Sequence, residues 1–177
     1  MDTQSRAQLQ LLVDKQAIAE LLYRYCHACD HRDEAALRSC FHADASHDHA
    51  GYTGPTAAWF PAALHWLHNR VAITHMIANP LIRIDGDRAL SDCHFIAYNR
   101  LAKPNDLVEE VLVKGRYIDR LVRAPGGWLI MHRLGIHDLE LIRDIPATER
   151  PMAAGHASGD PSHDPYFKLL AEFPASA

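Results

Sequence analysis

The apolar pattern of this chain changes period once, near Val71, and that change constrains the fold more than any other feature. Before it, apolar residues recur at helical spacing. Leu11, Leu12, Ile18, Leu21, Leu22, Tyr25 and Cys29 form one stripe, which predicts an amphipathic helix over about residues 8–28, ending before Asp30. Asp33 has the character of an N-cap for a short second helix, Glu34 to Phe41. Ala43 to Tyr52 reads as a short strand with a turn near Gly51 and Gly54, and Pro55 opens a third helix to about His68. After Val71 the period is two. Strands are predicted over Val71 to Ile84 (interrupted near Asn79-Pro80), Arg88 to Leu101, Val108 to Arg123 and Trp128 to Asp138. Helices followed by an antiparallel meander predict an α+β domain, whose curved sheet wraps the first helix and leaves a cavity at its open end.

The lengths bound the rest. A chain of 177 residues is one domain of ordinary size, expected over 1–145. Residues 146–177 carry several prolines and read as an extended tail, with Tyr166 to Leu170 able to dock on the body or on a neighbouring subunit. A formal charge of −4 supplies no basic field for nucleic acid. No apolar run approaches the roughly 20 residues of a membrane span, and MDTQSRAQLQ has no apolar core of a secretory signal. A cytoplasmic location is the expectation.

Chemistry enters with two residues. Asp30 sits just past the end of the first helix, and His75 shares a strand face with Ile73 and Ile77, so its imidazole points among apolar groups. A carboxylate that accepts a hydrogen bond from one ring nitrogen fixes the tautomer and leaves the other nitrogen as an oriented base. Other candidates read more plainly. Cys26-His27-Ala28-Cys29 lies near a helix C-terminus, where the dipole disfavours thiolates, so buried structural cysteines are expected. Thirteen histidines invite a metal, yet no complete ligand set appears and none is expected. Trp59, Phe60 and Trp66 read as core and pocket wall on the third helix. Arg133 alternates with Leu129 and Met131 while Trp128 and Ile130 occupy the opposite face. Without a bulge only one of these sets faces a pocket. Lys114, Arg116 and Arg120 alternate on a face that reads as solvated sheet or subunit interface.

The order of elements, with LLYRYCHACDHRD, ASHDHAGYTG, THMIANPLIRIDGDRA and KGRYIDRLVRAPGGWLIMHR, resembles the SnoaL-like branch of the nuclear transport factor 2-like superfamily over about residues 8–143. The resemblance implies a cone-shaped, curved mixed or antiparallel sheet around an N-terminal helix, with a deep apolar pocket, assembled as dimers or trimers. Members with lyase chemistry, the dehydratases of scytalone and of bile acids and a hexachlorocyclohexane dehydrochlorinase, carry an aspartate after the first helix and a histidine on the first long strand. These fall on Asp30 and His75. The same resemblance places Tyr25 among the catalytic residues and Arg133 beside the substrate. His49 falls near a pocket tyrosine of the scytalone enzyme, and Asn99 is the nearest counterpart of its second strand histidine. That enzyme's water-holding set is therefore not reproduced.

The expected function is a cofactor-independent lyase, dehydratase or dehydrohalogenase in type, acting on a hydrophobic cyclic small molecule. His75 takes the proton, Asp30 orients it, and Tyr25 assists the leaving group, with His49, Trp59, Asn99 and Arg133 as substrate contacts. An isomerase using the same pair, a non-catalytic domain for hydrophobic ligands and the small subunit of a ring-hydroxylating oxygenase are the alternatives. The expected partners are a small hydrophobic ligand and further copies of the chain, with no nucleic acid, membrane or cofactor.

Overall fold

The computed structural model describes residues 2–149 and 164–172. The elements run α1 (Thr3–His31), α2 (Glu34–Ser39), β1 (Phe41–His49), β2 (Tyr52–Pro55), α3 (Thr56–His68), β3 (Ala72–Asp85), β4 (Arg88–Lys103), β5 (Leu107–Ala124), β6 (Gly127–Pro146), a 3-10 turn (Ala147–Glu149) and α4 (Pro165–Leu170). One sheet contains six strands in the order β2-β1-β6-β5-β4-β3. The pair β1–β6 is parallel and the others are antiparallel, so the sheet is mixed. It curves around α1 as an unclosed cone, the α+β architecture expected.

Helix α1 is longer than its apolar stripe. It starts at Thr3 because the Asp2 carboxylate accepts from the Ser5 N–H at 2.7 Å and caps the first turn. Leu11 and Leu12, assigned above to the buried stripe, are exposed, and burial begins at Asp14. The Asp14 carboxylate accepts two hydrogen bonds from Arg123, at 2.7 and 2.8 Å, and one from Trp128 Nε1 at 3.0 Å. That cluster pins the helix to the turn between β5 and β6.

The other end of α1 corrects an expectation. The helix runs through Asp30 to His31, so Asp30 lies in its last turn. Arg32 then adopts a left-handed conformation (φ 57°), and its N–H and that of Asp33 bond back to the carbonyls of Cys29 (3.2 Å) and Ala28 (2.9 Å). This is the Schellman closure, here without the usual glycine. The Arg32 guanidinium donates to the carbonyls of Leu67 (3.1 Å) and Arg70 (2.6 Å), which locks the helix end to the α3–β3 junction.

Two irregularities in β6 decide which side chains face inward. The register against β5 skips one residue at Met131 and another at Asp138. Each bulge shifts the alternation by one, so Trp128, Ile130 and Arg133 are all buried on the inner face, despite their alternation in sequence. The strand also continues to Pro146, past the Asp138 expected from periodicity.

Of the expected tail, α4 is described, and it is helical where extended chain was expected. His31 Nε2 bonds Asp164 Oδ2 at 2.9 Å, and the rings of Tyr166 and Phe167 pack on His27 at 4.9 and 6.2 Å between centroids. Its apolar residues therefore dock on α1. The remainder of that expectation lies outside the described residues.

Candidate active site

The concave face of the sheet and α3 enclose a cavity of about 460 Å³. Its walls follow from strand register. The row Cys93–Tyr117–Gly135 lies deepest, then Phe95–Gly115–His137, then His75–Ala97–Val113–Glu140, then Ile73–Asn99–Val111–Ile142. Glu109 stands one further row out, opposite Leu101. Because inward side chains recur every second residue, successive rows are about 7 Å apart. His75 is thus midway between an aromatic floor and a polar outer end.

Asp30 and His75 meet. The His75 Nδ1 lies 2.7 Å from Asp30 Oδ1, and the His75 backbone N–H donates to both carboxylate oxygens at 2.9 and 3.0 Å. Strand β3 is the sheet edge, so this outward N–H has no strand partner, and α1 brings the carboxylate to it. One carboxylate therefore fixes both the backbone and the ring of His75. The histidine side chain is 9 % exposed and lines the cavity, whereas Asp30 is 21 % exposed and stands behind it. With Nδ1 engaged, Nε2 is the ring nitrogen available to a ligand.

The floor is aromatic and uncharged, backed by a buried cation. Tyr25 and Tyr117 line the cavity, and the Arg133 guanidinium stacks over both rings at 4.0 and 4.2 Å. Burial raises the pKa of both phenols well above the usual tyrosine value, although Arg133 opposes the shift, so both hydroxyls remain protonated donors. Arg133 is fully buried and bonds Asp119 twice at 2.8 Å. It does not line the cavity, which corrects its expected place beside the substrate: the bulge at Met131 turns it inward behind the tyrosines.

His49 lines the cavity and packs its ring on His137 and Tyr117 at 5.1 and 5.4 Å. Burial, reinforced by the charge of Arg133, pushes its pKa down to about 3, so it is neutral at physiological pH. Trp59 also lines the cavity and stacks on the buried His47 at 4.1 Å. Burial takes His47 down to about 2. Cys29 reaches the cavity as a protonated thiol, its pKa pushed up to about 12 by burial. No group of three or more His, Cys, Asp or Glu side chains among the described residues is placed to hold a metal ion.

Asn99 lies on the cavity wall and is 1 % exposed, with neither amide atom hydrogen-bonded among the described residues. Of the expected site residues, the fold gathers Tyr25, His49, Trp59, His75 and Asn99 on one cavity, with Asp30 behind His75. Sequence reasoning passed over Tyr117, Phe95, His137 and Arg70. Tyr117 was recoverable, since Val111, Val113, Tyr117 and Leu121 alternate on the face opposite Lys114 and Arg116. Arg70 gave no periodic signal, because it belongs to the junction after α3.

Comparison with known proteins agrees with this architecture. The family model described as a SnoaL-like domain matches residues 10–134. An uncharacterised protein of Mycobacterium tuberculosis is 31% identical over 125 residues, covering 68% of this chain and 83% of the relative. Among solved structures, a scytalone dehydratase candidate from Novosphingobium aromaticivorans superposes with a TM-score of 0.66 at 17% identity, covering 86% of this chain and 96% of the other. A hexachlorocyclohexane dehydrochlorinase from Novosphingobium barchaimii gives 0.63 at 20% identity, covering 77% and 94%. A protein from Kribbella flavida gives 0.65 at 22% identity, covering 74% and 95%. Likeness at these identities establishes the fold, and the family match establishes membership: the chain belongs to the SnoaL-like family.

Proposed function

We propose that this protein is a cofactor-independent lyase that eliminates water or halide from a hydrophobic cyclic small molecule. The observation that carries the reading is the 2.7 Å contact between Asp30 and His75, with the histidine lining a largely apolar cavity. Nε2 of His75 takes a proton from carbon, and the C–H electron pair becomes the new C=C bond. The leaving group departs from the adjacent carbon with its bonding pair, a halide as the anion with the proton left on His75, or a hydroxyl as water by taking that proton from the His75 imidazolium. Asp30 stabilises the imidazolium as it forms, and the hydroxyls of Tyr25 and Tyr117 donate to the departing oxygen or halogen. His49, Trp59 and Asn99 contact the substrate. The similar folds bearing dehydrochlorinase and dehydratase designations support the lyase class.

The test is turnover of a panel of cyclic alcohols and halides with an acidic C–H beside the leaving group. His75→Gln and Asp30→Asn are expected to lower the rate by roughly 10²–10⁴-fold, the range of a positioned general base. Wild-type rates in the His75→Gln protein would remove His75 from the mechanism. Isomerisation with retention of the leaving group would keep the base and change the reaction class.

One observation favours a second, non-catalytic reading. Asp30 also holds the backbone N–H of the edge strand, a structural task independent of chemistry. If that is its whole role, Asp30→Asn lowers stability, and ligands bind the cavity without being changed. Self-association is part of the proposal. Met76 and Ile96 are neighbours on the outer sheet face, and with Leu141 they remain exposed to a second copy. Sedimentation velocity of wild type and Ile96→Lys would report it.

A further inference from the structure

The outer end of the cavity differs in kind from its floor. Arg70 lines it with a side chain only 10 % exposed, its guanidinium 4.1 Å above the Trp66 ring. Nε and Nη1 are buried and without a hydrogen-bond acceptor among the described residues. The nearest carboxylate, Glu109, is 3.9 Å away, which is an ion pair but not a hydrogen bond. Glu109 is also shared with Lys103 at 3.3 Å. Arg70 thus holds a partial share of one anion, and its positive charge is poorly solvated. Asn99, on the same cavity wall, is also unpaired among the described residues. Unpaired buried donors cost free energy that a bound acceptor returns.

We infer that Arg70 and Asn99 form an anion-binding end of the cavity, which holds the carboxylate of an elongated apolar substrate whose rings lie beside His75. The inference rests on the cavity being the ligand site. Register supplies the length. The Asn99 row is about 7 Å from the His75 row, and the Glu109 row is about 14 Å from it. A carboxylate joined to two fused or linked rings spans that interval. The placement also suits the physics, since the charged group sits near solvent while the rings occupy the aromatic interior. Glu140, the other carboxylate of the lining, is exposed and solvated, so it opposes the ligand charge weakly.

Biphenyl-4-carboxylate and biphenyl-4-carboxamide test the inference as a matched pair, with affinities read by titration calorimetry. The wild-type protein is expected to bind the carboxylate on the order of 10-fold more tightly than the amide, as a charge-assisted hydrogen bond supplies. Arg70→Gln should erase that preference, lowering the affinity of the carboxylate by more than that of the amide. The isosteric Asn99→Asp, which brings a like charge to the site, should weaken the carboxylate selectively. His75→Gln should keep the wild-type preference for the carboxylate over the amide, whatever it does to the two affinities, separating recognition of the anion from catalysis. Equal wild-type affinities, or a preference that survives Arg70→Gln, would overturn the anion-binding end while keeping the cavity as a ligand site. Failure of both probes to bind would overturn the anion-binding end and the cavity reading together.

Discussion

Gly135 gives the most direct structural test of how the cavity floor is built. A Cβ at this position would fall 2.1 Å from Cδ2 and 2.8 Å from Cγ of His49. Nonbonded carbons rest at about 3.5–4.0 Å, so the ring would have to move by roughly 1.5 Å. Little room exists for that, because Tyr117, His137 and Phe95 flank it at centroid distances of 5.4, 5.1 and 6.3 Å. Gly135→Ala should therefore cost about 1–3 kcal/mol, the range for overpacking. The same change in an unobstructed strand stabilises by roughly 0.4–1 kcal/mol, because alanine restricts the unfolded chain. The two terms have opposite signs, and a double-mutant cycle in urea separates them. In a His49→Ala background the obstruction is gone, so Gly135→Ala should become neutral or stabilising, with a coupling of roughly 1–4 kcal/mol. An equal cost in both backgrounds would refute the reasoning. Gly115 supplies the contrast: a Cβ there meets the Ile136 carbonyl oxygen at 1.8 Å, so Gly115→Ala should not be rescued by any side-chain deletion.

Stability should fall with acidity before the carboxylates titrate. Burial holds His47 and His49 near about 2 and about 3, against 6.5 for a free imidazole. Below pH 6.5 the unfolded chain takes up protons that the folded chain refuses, so stability rises with pH across this window. It is lost as pH falls, by at most ~1.4 kcal/mol per pH unit for each histidine. Urea unfolding between about pH 6.5 and about pH 5 should show a shallower slope for His47→Asn, and an unchanged slope would contradict the assignment. Arg133→Met leaves Asp119 buried and unpaired, and should cost about 3–5 kcal/mol in the same assay. Adding Asp119→Leu should recover most of that loss, whereas a double variant no more stable than the single one would deny the pairing.

Much of this fold is written in local pattern, and the remainder is not for identifiable reasons. The switch from helical to alternating periodicity placed α1 and the four long strands, and the Ile73, His75, Ile77 alternation turned His75 inward. The end of α1 was harder to read, because it is closed by a left-handed arginine instead of a glycine. The bulges at Met131 and Asp138 exist only as register against β5, so the shared burial of Ile130 and Arg133 could not be read from one strand. The opening residues of α1 carry leucines that stay exposed, so their apolar spacing does not report burial. Arg70 was invisible because its position depends on Trp66 and on the carbonyl held by Arg32, contacts between separate elements.

The orientation of His75 is the point on which the proposed chemistry turns, and long-range ¹⁵N–¹H correlation of the imidazoles at neutral pH measures it. The His75 proton is expected on Nδ1, donated to Asp30, with Nε2 unprotonated toward the cavity, and that fixed tautomer is expected to be lost in Asp30→Asn. A proton on Nε2 in the wild-type protein would leave His75 no free ring nitrogen toward the cavity and would refute the mechanism.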